Sequence, residues 1–163
     1  MARSVTILLV AVACAGCGYR CGYTVRRDIR SVSMPVFAND SFYRNIELGL
    51  THEVTTAIEK KTPYRLVGSR GADAVLEGRI RDYRTTVLQE DARNNPTEIQ
   101  LALVVHVTLR RPGDGTMLYD GDIREAESYS PSLGNSESHT WAALIRRTAA
   151  RIVETAFEQD WQD

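Results

Sequence analysis

Ile99, Leu101, Leu103, Val105, Val107 and Leu109 are apolar at every second position without a break. Only an extended chain puts alternate residues on one side, so this stretch is a strand with one buried face. The intervening residues are Gln100, Ala102, Val104, His106, Thr108 and Arg110. They are mixed in polarity, as expected of a sheet that one layer of helices covers on one side only. The strand cannot stand alone, so its neighbours in sequence must supply the partners. Arg111-Pro112-Gly113-Asp114-Gly115 reads as a tight turn, and Met117 to about Tyr129 as the returning strand. Upstream, Ala72 to about Gln89 reads as a long strand, or two strands with a bend, followed by a loop over Asp91 to Thr97.

The remaining segments complete a small α+β domain. Ser31 to Phe37 alternates as a first strand, with Pro35 marking an edge position or an early end. Asn39-Asp40-Ser41 is a turn and cap cluster. From about Tyr43 to Lys61 the apolar residues Ile46, Leu50, Val54, Ala57 and Ile58 recur at helical spacing until Thr62-Pro63. Tyr64 to Val67 is a short strand. Trp141, Leu144, Ile145, Thr148, Ala149, Ile152, Val153, Ala156 and Phe157 form the stripe of a last helix over about Ser136 to Trp161. The order β-α-β-β-β-β-α predicts a largely antiparallel four- to five-stranded sheet with two amphipathic helices packed on one face.

The first 16 residues belong to a different regime. Arg3 precedes an uncharged run from Val5 to Gly16. The run is shorter than the roughly 20 residues a membrane helix needs, and it has the layout of an export signal. All three cysteines, Cys14, Cys17 and Cys21, lie within the first 21 of the 163 residues. Small residues precede two of them, in Ala13-Cys14 and Ala15-Gly16-Cys17. This resembles the lipobox of bacterial lipoproteins, in which a cysteine thiol is acylated and the chain is cut just before it. The resemblance implies residues 1–16 as signal peptide, Cys17 (alternatively Cys14) as the lipid attachment, 17–30 as anchor and tether, and 31–163 as the folded domain. With Cys17 as anchor, Cys21 is left as a lone thiol; with Cys14, Cys17 and Cys21 can pair. Loss of residues 1–16 removes only Arg3, so the charge of 20 − 21 = −1 becomes 19 − 21 = −2. That balance argues against a nucleic-acid partner.

No catalytic set stands out. His52, His106 and His139 are scattered, and no metalloprotease, paired CxxC, nucleophile-elbow or phosphate-loop motif is present. No metal or cofactor is implied. Glu125 and Glu127 share a strand face, read as solvated. Arg79 and Arg81 also share a strand face, with Tyr83 next on it. Clustered guanidinium groups suit phosphate-bearing ligands, although 18 of the 20 basic residues are Arg and make such clusters common.

Several short motifs occur in a fixed order. They are Cys17-Gly18-Tyr19, Val32-Ser33-Met34-Pro35-Val36-Phe37-Ala38-Asn39, Ile46-Glu47 at a helix start, and Ala72-Asp73-Ala74-Val75-Leu76-Glu77-Gly78-Arg79-Ile80. Together they resemble the LptE family of lipopolysaccharide-assembly lipoproteins over most of the mature chain. The chain departs from the family pattern in carrying Cys14 where Leu is usual, and in the additional Cys21. The resemblance implies a non-enzymatic outer-membrane lipoprotein on the periplasmic face. Its partners would be a large β-barrel (LptD-like), lipopolysaccharide, and the membrane through the lipid. Gly18 after Cys17 fits that sorting. The exposed sheet face would meet the barrel lumen, and Arg79 and Arg81 are candidate lipopolysaccharide contacts. The competing class is an anchored periplasmic lipoprotein that activates a peptidoglycan synthase or supports a secretion pore.

Overall fold

The computed structural model describes residues 26, 28–134 and 136–158. The expected signal peptide, Cys14, Cys17, Cys21 and most of the tether lie outside the described residues. The elements are β1 (Ser31–Ser33), β2 (Ala38–Asn39), α1 (Ile46–Lys61), β3 (Arg65–Leu66), β4 (Ala74–Glu90), β5 (Pro96–Arg110), β6 (Met117–Tyr129), a single 3-10 turn at Pro131–Leu133, and α2 (Glu137–Phe157).

The strand expected over 31–37 is two short strands laid along one edge of β4. Val32 and Ser33 pair with Ala74 and Val75, and Ala38 and Asn39 pair with Arg79 and Ile80. Pro35, which has no N–H to donate, falls in the gap between them. In the same gap Phe37 turns its ring inward, and a Cβ on Gly78 would lie only 2.3 Å from it. The Phe37 N–H is donated to Thr51 Oγ1 of α1 at 3.0 Å.

The sheet is six-stranded and mixed, in the order β3-β1-β4-β5-β6 with β2 beside β4. It is not the largely antiparallel four- to five-stranded sheet that the hairpins suggested. The difference lies in α1, which carries the chain back so that β3 runs parallel to β1, with Ser31 opposite Arg65. A short loop then returns the chain, so that β4 also runs parallel to β1 and β2. Only β4-β5-β6 is the antiparallel meander that turn chemistry predicts.

Asp73 fixes that return. Its Oδ2 accepts from the Arg30 N–H, the Ser31 N–H and the Ser31 hydroxyl, all at 2.9 Å. The Arg30 amide first, and then Ser31, hold its carboxyl below the usual aspartate range. A depressed folded-state pKa contributes stability that is complete above the ordinary value and is lost as pH falls through the folded one. The Asp73→Asn protein is therefore expected to be less stable at neutral pH, and to show a shallower acid limb below about pH 4. Urea midpoints taken across that range check it; parallel acid limbs would remove Asp73 as the cause.

Both helices lie on the sheet side that carries Leu101 to Leu109, α2 over β5 and β6, and α1 beside it against β2 and β3. From α1, Ile46, Leu50, Val54 and Ile58 are buried, and α2 buries Leu144 through Phe157 on one stripe. With the alternate residues of β5 they form one core. One helix end differs from expectation. The first helix begins at Ile46 rather than Tyr43, because the Tyr43 carbonyl accepts from Asn39 Nδ2 at 2.6 Å and Asn45 is left-handed (φ 67°). The second is helical to Phe157, and Glu158 is extended (φ −63°, ψ 132°); the expected stretch on to Trp161 lies outside the described residues.

Candidate functional site: the open sheet face and an aromatic cleft

The side of the sheet away from the helices carries Gln100, Ala102, Val104, His106, Thr108 and Arg110 of β5, all half-buried. Neighbouring strands add charges that pair among themselves. Arg110 donates to Glu77 at 3.0 Å, Arg124 to Asp122 at 3.1 Å, and Arg84 to Asp82. His106 Nδ1 lies 3.0 Å from Asp122 Oδ1, and its Nε2 lies 3.5 Å from Asp120. The His106 hydrogen bond, then Arg81 and Arg124, hold the Asp122 carboxyl low. The result is an open face with a neutral, small-residue centre and a rim of compensated charges.

Arg79 and Arg81 belong to that rim. Arg79 donates to Asp40 at 2.9 Å, and Arg81 Nε lies 3.8 Å from Asp122. Both are about half-exposed, and each already faces a carboxylate. The expected companion Tyr83 is not there. A β-bulge between Ile80 and Asp82 shifts the register by one residue. Such a slip exchanges faces, and Tyr83, opposite Leu103, joins the helix side. There its ring packs edge-on against Tyr43 (4.6 Å, 86°) and Trp141 (5.0 Å, 78°).

These three rings, with Arg44, Ile46 and Glu137, line a cleft of about 660 Å³ between the N-terminal ends of α1 and α2. Phe42, next in sequence to Tyr43, is fully exposed. Sequence reading missed the cleft, because its rings come from a loop, a strand and a helix. Glu125 and Glu127 also differ from their reading as a solvated pair. Arg147 of α2 reaches both, at 3.1 and 2.7 Å, and ties the edge strand to the helix layer. Among the described residues, no group of His, Cys, Asp and Glu is placed to hold a metal ion, and no helix is long and apolar enough to cross a membrane.

Comparison with known proteins places this architecture. Residues 29–159 match the sequence model of LptE, described as lipopolysaccharide-assembly. The chain belongs to the LptE family. A search of the curated proteins finds no match to the sequence. Among solved structures, uncharacterized lipoprotein B from Nitrosomonas europaea is similar with a TM-score of 0.59 and 12% identity, over 83% of this chain and 90% of that one. A hypothetical protein from Chlamydia trachomatis is similar with a TM-score of 0.60 and 12% identity, over 78% and 95%. A lipoprotein from Neisseria meningitidis has a TM-score of 0.52 and 15% identity, over 76% and 98%. At such identities these likenesses establish the shared fold.

Against the LptE match, the residues that carried the resemblance acquire a physical role. Phe37 covers Gly78. The Asn39 carbonyl oxygen accepts from the Ser41 N–H at 2.9 Å and the Ser41 hydroxyl at 2.7 Å, while its amide donates to Glu47 Oε2 at 2.8 Å. The Glu47 carboxyl is held low by its own backbone N–H and then by Asn39. Asp73 clamps the start of β1. The LptE-like motifs thus form a latch joining β1, β2, α1 and β4; Asn39 serves as a turn residue, whereas the cap expected from the Asn39-Asp40-Ser41 cluster falls instead at Asn45, the residue before α1.

Proposed function

We propose that this chain is an outer-membrane lipoprotein, anchored on the periplasmic face through Cys17, that partners a large β-barrel of the LptD type in placing lipopolysaccharide at the outer membrane. The LptE family match over residues 29–159 carries this reading. The geometry supports it. One sheet face is committed to the helices, while the other is broad, half-buried and internally charge-compensated. A face of that kind can meet a partner surface with little unpaired charge to desolvate. The described chain begins beside the β5–β6 turn, where Arg111 pairs with Asp28 and Arg26 donates to the Leu118 carbonyl. The anchor would therefore approach at that pole, leaving the aromatic cleft and the β4–β5 hairpin at the other.

Lipopolysaccharide phosphates meet Arg79 and Arg81 in this reading by displacing Asp40 and Asp122. The test is detergent extraction of the tagged full-length protein, followed by identification of what travels with it and by the mass of its N-terminal peptide. A β-barrel partner and a triacylated Cys17 are expected, with acylation lost in Cys17→Ser and kept in Cys14→Ser. Recovery of only a cell-wall synthase or secretion-pore component would contradict the assignment. An Arg79→Ala, Arg81→Ala protein that binds purified lipopolysaccharide as tightly as the parent would remove those two residues from it.

A further inference from the structure

The charges of the open sheet face are paired: Arg79 meets Asp40, Arg110 meets Glu77 and Arg124 meets Asp122. Two charged side chains that line the aromatic cleft, Arg44 and Glu137, are not. Neither makes a side-chain hydrogen bond or an ion pair among the described residues, and they do not reach each other. Arg44 lies just before α1 and Glu137 opens α2, so opposite charges stand on the two banks of one cavity. The carboxylate nearest Arg44 in sequence, Glu47, is already bonded by Asn39. An acidic residue in the first turn of α2 suits the helix dipole. That role calls for no aromatic neighbours and no cation opposite.

The rings between the two charges are placed to receive a cation. Tyr43 and Trp141 each stand nearly perpendicular to Tyr83, at 86° and 78°, with centroids 4.6 and 5.0 Å from it. Tyr83 and Trp141 also pack against the core, so two of the three walls are fixed before a ligand arrives. Ring faces attract an ammonium group, Trp most strongly. Glu137 adds to that attraction at the same wall: burial first, and then this carboxylate, push the Tyr83 phenol above its usual range. Arg44 would repel a simple cation, but its planar fork suits an oxyanion. With one charge of each sign, the cleft matches a ligand that carries both. Its volume of about 660 Å³ falls within the roughly 300–1,000 Å³ of small-molecule sites.

We infer that the cleft binds a zwitterion in which an ammonium group is joined through a short chain to a phosphate. The ammonium lies among the rings against Glu137, and the phosphate takes the Arg44 guanidinium. A phosphate has an oxygen left to carry a further ester outward. Beside the cleft, Phe42 is fully exposed and Leu48 of α1 is 55% exposed, so an apolar body on that ester has a surface to lie on. The site is independent of the barrel partnership proposed above. It is also separate from Arg79 and Arg81, which lie on the other side of the sheet.

Titration calorimetry on the full-length protein in a non-ionic detergent tests it. The probes are phosphoethanolamine, with ethanolamine and inorganic phosphate as its single-charge halves. Phosphoethanolamine should bind about tenfold or more tightly than either half, and Arg44→Gln and Glu137→Gln should each remove about tenfold or more of that affinity. Both positions are exposed, so thermal melts of the variants should match the parent. Vesicles of phosphatidylethanolamine with phosphatidylglycerol, set against phosphatidylglycerol alone, separate the two sources of the ligand. Competition by the first only assigns the site to a lipid headgroup. No competition, with the soluble probe still bound, assigns it to a free aminoalkyl phosphate. Phosphoethanolamine that binds no more tightly than its halves overturns the site, as does unchanged affinity in either variant. Failure of both the soluble probe and the vesicles to bind overturns it as well.

Discussion

Phe37→Ala is expected to lower the unfolding free energy by about 3–5 kcal/mol, the range for removing a buried aromatic ring. Phe37 is only 2% exposed and packs within one core with Ile46, Leu50 and Ile80. Its ring also occupies the space above Gly78 that any side chain there would need. Gly78→Val should therefore cost about 1–3 kcal/mol or more by overpacking, since Phe37 is itself held by the core and has little room to yield. The two changes should not add. With Phe37 already Ala, the valine enters the vacated space, and the double variant should be more stable than the sum of the singles predicts. Urea unfolding of the four proteins measures the coupling. Strict additivity would show that the ring moves aside freely and that the latch is not a packed unit.

That latch shows what a sequence can and cannot disclose. The alternation in β5 and the helical stripes of α1 and α2 are local and strong, so each was legible with its buried face. Phe37, Asn39, Glu47 and Gly78 were legible as an ordered set of motifs but not as one structure, because three separate elements bring them together. The parallel strands were hidden for a related reason. β1, β2 and β3 span two or three residues each, too few for a periodicity, and their direction depends on where α1 delivers the chain. Simple alternation puts Tyr83 on the arginine face. One extra residue at the Arg81 bulge reversed it, and with it the cleft became visible only in three dimensions. Arg79 and Arg81 share one rim, but their carboxylate partners, Asp40 and Asp122, come from a loop and from two strands away.

The unbroken alternation of β5 predicts two opposite consequences from adjacent residues. Leu103 is fully buried under α2, so Leu103→Ala should lower stability by about 2–5 kcal/mol through lost burial and the cavity left behind. Val104 faces the other way and is half-buried between Asp82 of β4 and Arg124 of β6. A lysine there keeps its stem on the sheet and its ammonium in water, so Val104→Lys should cost no more than about 1 kcal/mol in the isolated protein. It also places a cation in the neutral centre of the open face, and burial of that cation against a partner would leave it without a solvating shell. The substitution should therefore spare the fold and disrupt the complex, whereas Leu103→Ala should weaken the complex only as far as it unfolds the chain. Denaturation curves and barrel co-purification, measured on both proteins, separate the two. If Val104→Lys retained the partner fully, the open face would not be the surface the barrel covers.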